Sequence, residues 1–297
     1  MLATILSCSV PEKLTDSNYH LIKTPPNGVR VADNFFCDKT EMTNIDWLEY
    51  MFWTKRIFGG NSPEYLATFP DTLVWRENYS CLASLTENYL KQPGYMYFPV
   101  VGVTQLQAIN YSKWRSDRVF EKLLIDMDKI EVDSTQNKDS YFTIEKYFKG
   151  TFGKIIPGVK LTHYPNFRLP SLVERTIILQ YADSVDHIYF KNCESKYCKD
   201  CKTNFPMFNS DVVPCLKDSL RIEPTISVND NYAAKKGDPI FNLRGNVSEW
   251  SSEVNITLGG GWFDKRANIL QADTFHTDKQ NAWTGFRNVC EWKLWNE

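Results

Sequence analysis

The sequence predicts an α+β fold in a single domain with long loops and little regular secondary structure. Short apolar segments with glycines and tryptophans at their ends are spread along the chain, as expected for short strands between turns. Other segments place a capping residue before apolar positions at helical spacing, which predicts helices. Long polar stretches rich in turn residues separate these elements and are typical of loops.

Composition narrows the class of protein. The 297 residues are 42% hydrophobic and 24% charged, which is ordinary for a globular protein with a packed core. Lys and Arg number 34 against 36 Asp and Glu, and this balance argues against a nucleic-acid-binding protein. Two features are less ordinary: 14% of the residues are aromatic, and there are eight cysteines.

Residues 1–29 are interpreted as a lipoprotein signal remnant followed by an extended leader. Met1 to Cys8 is a short apolar run that ends in a small residue and a cysteine, similar to the end of a bacterial lipoprotein signal. On this interpretation Cys8 is the lipidation site, although Ile5-Leu6-Ser7 is a loose lipobox and a basic region does not precede it. The alternative is a hydrophobic tail with an ordinary free thiol.

The domain itself is expected to span residues 30–292, with 293–297 as a tail. Alternation over Arg30–Phe36 predicts a strand, and Asn44 is the expected N-cap of a helix that runs to Phe52 and ends before Gly59. Residues 98–103 are expected to form a short buried strand.

Two further helix starts follow. Thr104 is the expected cap of a helix that ends near Trp114, and Ser171 with Glu174 has the spacing of a capping box. Insertions are expected near 116–160, with helical content of its own, and near 191–238, as a long loop. Three short strands are predicted at 245–250, 258–263 and 284–289.

Seven short motifs in a fixed order resemble those of the formylglycine-generating enzyme, or sulfatase-modifying factor, family. They are Glu41-Met42-Thr43-Asn44, residues 99–104, Tyr111 to Trp114, Arg168-Leu169-Pro170-Ser171, residues 245–250, Gly259-Gly260-Gly261-Trp262 and Gly285-Phe286-Arg287. The resemblance implies a C-type-lectin-like fold. In such a fold tryptophans such as Trp114, Trp250 and Trp262 supply buried area.

A narrower resemblance rests on residues 69–76 and 95–103. These look like the branch of the family formed by the gliding-motility and type IX secretion lipoproteins of Bacteroidetes. The resemblance implies a lipid-anchored protein at the periplasmic face of the outer membrane.

The family's oxidase activity requires a copper-binding cysteine pair just after the Gly-Gly-Ser-aromatic strand, because soft thiolates select Cu(I). Aligned without gaps, the two positions fall on Asp264 and Ile269, neither of which is a thiolate. The four histidines, His20, His163, His187 and His276, do not form an iron-binding pattern. We therefore expect the protein to be noncatalytic.

One metal site of the family has matching residues. The family binds calcium through an Asn side chain, two backbone carbonyls and a Glu, which correspond to Asn242, Gly245, Val247 and Glu249 here. Calcium prefers such hard oxygen ligands. A structural Ca²⁺ is thus expected; the alternative is that Glu249 only accepts hydrogen bonds from the turn.

Four cysteines lie within 23 residues, at Cys193, Cys198, Cys201 and Cys215. Their spacing allows a tetrahedral zinc site, whereas a periplasmic location favours two disulfides. We favour the disulfides. Cys37, Cys81 and Cys290 are expected to be buried or to form one further bridge.

The leading expectation is an interaction module of a secretion or motility assembly in the cell envelope. Its partners would be other envelope proteins, with homo- or hetero-oligomers both compatible, and it would contact the membrane only through its lipid anchor. The binding surface would comprise the segments near 55–97, 116–160 and 191–238. The alternatives are an enzyme of the family with a displaced active site, and a glycan-binding module.

Overall fold

The structure is a computed structural model that describes residues 23–78, 80–158, 161–191, 238–264 and 273–296. Helices and strands both contribute to it, which confirms the predicted mixed class. The helices are α1 (Asn44–Phe58), α2 (Pro63–Leu66), α3 (Val74–Asn78), α4 (Leu85–Asn88), α5 (Gln105–Asp126), α6 (Ile144–Phe148) and α7 (Leu172–Lys191). The strands are β1 (Gly28–Ala32), β2 (Phe35–Asp38), β3 (His163–Arg168), β4 (Ser248–Trp250), β5 (Ile256–Leu258), β6 (Thr274–His276), β7 (Thr284–Gly285) and β8 (Val289–Leu294).

The first sheet has the strand order β1-β2-β8-β3, and all of its neighbours are antiparallel. The last strand of the chain therefore lies between strands from its beginning and its middle. Cys37 packs on the face covered by Ile178 and Ala182 of α7. Cys290, opposite Phe36 in the ladder, packs on the other face with Phe167. The sheet is thus buried on both sides, and the two cysteines point to opposite faces.

The second sheet has the order β6-β5-β4-β7, in which β4 and β7 are parallel. Trp250 of β4 is buried with Trp47 and Tyr111, and its Nε1 donates to the carbonyl of Val103 at 2.9 Å. Trp262 is likewise buried, and its Nε1 donates to the carbonyl of Ala282 at 2.9 Å. Both tryptophans supply core area as predicted, whereas Trp114 is only half-buried.

The cap of α1 differs from the prediction. Thr43, and not Asn44, caps the helix, in a capping box with Asp46. Asn44 is fully buried, and its Nδ2 donates to the carbonyls of Tyr89 and Tyr95, both at 2.9 Å. Its amide therefore ties α1 to the chain at 89–95 and is not available as a cap.

Residues 30–36 form a hairpin and not the single strand that was predicted. β1 ends at Ala32, and β2 begins at Phe35. Asn34 has φ of +49°, a left-handed conformation that asparagine tolerates and that reverses the chain. The turn residues Asp33-Asn34 interrupt the apparent alternation.

Helix α5 confirms Thr104 as its cap but continues twelve residues beyond Trp114. The apolar face persists through Phe120 and Leu124, both fully buried, so packing extends the helix into the predicted insertion. The capping box at Ser171 is confirmed, because Glu174 accepts from the N–H of Ser171 at 2.9 Å and donates its own N–H to the Ser171 hydroxyl at 3.2 Å.

The predicted strands near the motifs are shorter than expected. Residues 98–103 are buried but irregular, since Gly102 has φ of +72°, and they form only an isolated bridge between Pro99 and Thr43. The predicted strand at 258–263 is wrong: β5 covers Ile256–Leu258 and ends at Leu258, because Gly259 and Gly260 adopt φ of +80° and +64°. The expected strand at 284–289 is divided into β7 and the start of β8. Among the described residues, no helix is long and apolar enough to cross a membrane.

Candidate functional site

A surface cleft of about 1070 Å³ lies between α1, α5, the segment 141–151 and β3. It was not predicted, because its lining also includes Glu64, Ala67 and Trp295 and so comes from six separate parts of the chain. Its size is at the upper end of the range usual for ligand-binding sites. The cleft draws on the predicted binding segments 55–97 and 116–160, while the segment 191–238 lies almost wholly outside the described residues.

Half-buried aromatic rings form one part of the lining, which we call the aromatic wall. Its members are Tyr50, Trp53, Phe58, Trp114 and Tyr141. Trp53 makes edge contacts with Trp114 and Tyr141, with ring centroids 6.2 and 5.7 Å apart. The wall is continuous with the core, since Tyr50 contacts the fully buried Trp47 at 5.4 Å. It is therefore held on a packed base.

Asp117 of α5 also lines the cleft. Its Oδ1 accepts the N–H of Ile144 at 2.8 Å, which fixes the start of α6 against α5. Burial raises the pKa of the Asp117 carboxyl to about 6, against the opposing effects of this hydrogen bond and of Arg118 and Lys113. A carboxyl group that lies in a cleft and has a pKa raised by burial is a candidate for ligand binding.

A separate network of buried charges connects the sequence motifs. Arg287 Nε donates to Glu249 Oε1 at 2.9 Å, and Nη2 lies 2.8 Å from the same oxygen within the ion pair. The same guanidinium donates to the carbonyls of Asp38 and Phe241, at 2.8 and 2.5 Å. Arg287 thus satisfies loop carbonyls and a carboxylate together, as its planar fork of donors allows.

Glu41 completes this network. Its two oxygens accept from the side-chain amides of Asn242 and Asn246, at 3.2 and 3.0 Å, and Arg287 lies 3.8 Å away. Burial raises the pKa of Glu41 to about 7, although the charge of Arg287 acts in the opposite direction. The first, fifth and seventh motifs therefore meet at one buried cluster.

A second buried pair supports the first sheet. Arg115 of α5 holds Asp38 in a bidentate ion pair, with distances of 2.6 and 2.9 Å. Asp38 Oδ2 also accepts the N–H of Asn288 at 3.1 Å. These contacts join α5 to β2 and to the chain just after the Gly285-Phe286-Arg287 motif.

A known protein family matches nearly the whole chain. The model of the sulfatase-modifying factor enzyme 1-like domain matches residues 9–292. The chain belongs to this family. A search of curated proteins gives no significant match. Two solved structures are similar to the chain: CarF (16% identity, 86% of each chain covered, TM-score 0.44) and Treponema denticola variable protein 1 (14% identity, 86% of this chain and 84% of the other, TM-score 0.39).

The copper site of the family does not fit the described residues. Asp264 falls on the first cysteine position in the ungapped alignment. Its Oδ2 accepts the N–H of Gly261 at 2.8 Å, so its carboxylate closes a turn. Ile269 lies outside the described residues. Cys37 and Cys290 are buried free thiols on opposite faces of a sheet, and burial raises the pKa of Cys37 to about 12 and also raises that of Cys290. Cys37 and Cys290 therefore do not form a thiolate pair that could bind Cu(I).

The predicted calcium ligands fit the ion in part. Glu249 is buried, and among the described residues its Oε2 has no hydrogen-bond partner, as an oxygen reserved for a cation would. Its Oε1 is engaged by Arg287, and Nη1 of Arg175 lies 3.7 Å from Oε2. Asn242 directs its amide nitrogen to Glu41, while Gly245 donates its N–H to the carbonyl of Gly259.

The remaining predicted sites cannot be placed. Cys8 and the cluster Cys193, Cys198, Cys201 and Cys215 lie outside the described residues, and their lipidation and pairing stay predictions. Within the described ranges, three or more His, Cys, Asp or Glu side chains do not come together as a metal site.

Proposed function

We propose that the protein is a noncatalytic, lipid-anchored member of its family, located at the periplasmic face of the outer membrane. It uses the scaffold for protein–protein interaction in a cell-envelope assembly. The narrow resemblance of residues 69–76 and 95–103 points to the type IX secretion and gliding machinery.

The observation that carries the noncatalytic part of the proposal is Asp264. A carboxylate that closes a turn stands where the family's chemistry needs the first thiolate. Carboxylate is a hard ligand and does not select Cu(I). The scaffold is meanwhile intact, since buried ion pairs connect its motifs.

Surface composition supports the interaction part of the proposal. Segment 55–97 carries large apolar side chains on the surface: Leu66, Phe69 and Leu73 are 57%, 49% and 56% exposed. Gln107 of α5 holds this segment in place by donating to the carbonyls of Ala67 and Phe69, both at 2.9 Å. Exposed apolar groups on a fixed backbone suit a protein interface.

The proposal includes a structural calcium at Asn242, Gly245, Val247 and Glu249. Glu249 Oε2 would supply the charged oxygen, and the ion would stabilise the turn that leads into β4. The ion has no catalytic part in the proposal.

The test is affinity purification of the tagged protein from the native cell envelope, alongside a Cys8→Ser variant. We expect wild type to fractionate with membranes and to co-purify with a defined set of envelope proteins. The Cys8→Ser variant should leave the membrane fraction. A wild-type protein that is recovered alone in the soluble fraction would refute the proposal.

A further inference from the structure

The cleft bounded by α1, α5, segment 141–151 and β3 is not explained by the motif network or by the proposed anchoring. The residues that line it are distinct from those of the buried cluster around Arg287. Four properties of the cleft define the chemistry of a ligand that would fit it: its aromatic wall, its charge balance, its hydrogen-bonding groups and its backbone.

The aromatic wall offers apolar ring surface with little loss of side-chain entropy on binding. Trp53, Phe58 and Tyr141 contact one another with ring centroids 5.4 to 6.2 Å apart. Trp114 and Tyr50 extend the wall toward the core. Arg118 lies over one face of Trp53, 4.5 Å from the ring centroid, and Lys146 Nζ lies over one face of Tyr141 at 4.3 Å. The ring surface that these cations leave open suits a ligand with flat C–H faces.

The charges around the cleft nearly cancel. Lys149 forms an ion pair with Glu145 at 2.5 Å. Arg168 forms ion pairs with the buried residues Glu174 and Glu291. The ionisable lining residues outside these pairs are Glu64, Asp117, Lys113 and Lys146. Two acids and two bases give no field that would attract a polyanion or a polycation.

Asp117 and Lys113 supply the directional hydrogen bonds. The Ile144 N–H is the one hydrogen bond that the described residues make to the Asp117 carboxylate. An ionised carboxylate can accept about four hydrogen bonds, so it has capacity left for ligand hydroxyls. Lys113 is exposed, and it makes no ion pair within the described part of the chain. Its ammonium group can donate to the same ligand.

The backbone around the cleft disfavours an extended peptide. A peptide would need to pair its own N–H and C=O groups, most simply with the free edge of β3. In an antiparallel strand alternate residues direct their N–H groups to the same side. Phe167 donates its N–H to the Ser116 hydroxyl at 2.9 Å, and Pro165, two residues earlier, has no N–H. The edge is therefore largely closed to strand addition.

We propose that this cleft binds a neutral oligosaccharide. Sugar rings would stack on the aromatic wall at Trp53, and sugar hydroxyls would donate to Asp117 and accept from Lys113. The proposal does not depend on the lipid anchor or on the identity of the interaction partners, so it can be tested on the purified chain.

The experiment is calorimetric titration of the purified full chain with neutral tetrasaccharides: β-1,4-linked N-acetylglucosamine, cellotetraose, xylotetraose and maltotetraose. We expect at least one to bind. Trp53→Ala should weaken that binding by about tenfold or more, through loss of the stacking surface. Phe52→Ala is the matched control, since Phe52 is the preceding residue, is 69% exposed and lies outside the cleft. It should change the affinity by less than about twofold.

Trp53 also packs against Arg118, so a second variant avoids any effect on folding. Lys113→Ala removes an exposed side chain without an ion pair, and it should weaken binding by about threefold with an unchanged melting temperature. Absence of binding by all four tetrasaccharides at millimolar concentration would overturn the proposal. So would binding that both variants leave unchanged, or a peptide from an array that binds in a Trp53-dependent way while the sugars do not.

Discussion

Arg287 and Glu249 form a buried ion pair that joins two sequence motifs separated by 38 residues. The guanidinium of Arg287 also donates to two backbone carbonyls, so it holds together β4, the end of β2 and the segment before residue 242. Three of the seven family motifs are thus partners in one structural cluster.

This cluster predicts the effect of removing Arg287. Arg287→Ala should lower the free energy of unfolding by about 3–5 kcal/mol, because it removes a cation from the buried carboxylates of Glu249 and Glu41 and leaves Glu249 only the longer contact to Arg175. Urea unfolding measures the change. Arg30→Ala is the control, since Arg30 pairs with Asp33 on the surface and its loss should cost less than about 1 kcal/mol. Equal effects of the two variants would contradict the structural role of the cluster.

A second prediction concerns Gly259, where the backbone has φ of +80° and a Cβ would lie 2.3 Å from the carbonyl oxygen of Leu243. Gly259→Ala should destabilise the protein by about 2–4 kcal/mol through backbone strain and overpacking. In Gly153→Ala the new Cβ has no neighbour within 4 Å, so that variant should be close to wild type in thermal melting. If both variants melt alike, the close approach at Gly259 is not present in solution.

A third prediction follows from Asp117. Its carboxyl has a pKa of about 6 in the folded state against 3.8 for the unperturbed group, because burial disfavours the charge. The folded state then holds the proton more tightly than the unfolded state between these values. Stability from this group is full below about pH 4 and is lost as the pH rises through 6.

Asp117→Asn keeps an oxygen for the Ile144 N–H but does not titrate. Relative to wild type, it should therefore gain about 2–3 kcal/mol of stability between pH 4.5 and pH 7.5. Urea titrations at several pH values give the difference. A difference that stays constant over this range would show that the Asp117 carboxyl is not perturbed.

A fourth prediction concerns calcium. EGTA should lower the melting temperature by roughly 5–10 °C, because a ligand at about 100 times its Kd adds about 2.7 kcal/mol and each kcal/mol corresponds to roughly 2–4 °C in a domain of about 150–250 residues. Added Ca²⁺, but not Mg²⁺, should restore it, since Mg²⁺ demands a smaller octahedral site. A melting curve that is insensitive to EGTA would refute the calcium site.

Local signals in the sequence predicted part of the fold. Thr104 and the box of Ser171 with Glu174 are caps whose partners lie three residues away, so spacing alone identified them. Asn44 has the same local signal, but its amide is used by the distant carbonyls of Tyr89 and Tyr95. Tertiary contacts overrode local propensity at that position.

The cleft was beyond sequence reasoning for a related reason. Trp53, Asp117 and Tyr141 are far apart in the chain, and each has an ordinary local explanation as a residue of a helix face or a loop. Only the packing of α1 against α5 and of segment 141–151 against both brings them together. The sequence identified the motifs that hold Glu41, Glu249 and Arg287, but their meeting in one buried cluster depends on tertiary packing.

The central claim is that the chain has the family's scaffold without its oxidase chemistry. The most direct measurement incubates the purified protein with Cu(I), oxygen and a cysteine-containing substrate peptide, and follows formylglycine by mass spectrometry. A family enzyme with the intact cysteine pair serves as the positive control. The account predicts no aldehyde above the protein-free background, and copper-dependent formation of formylglycine by this chain would contradict it.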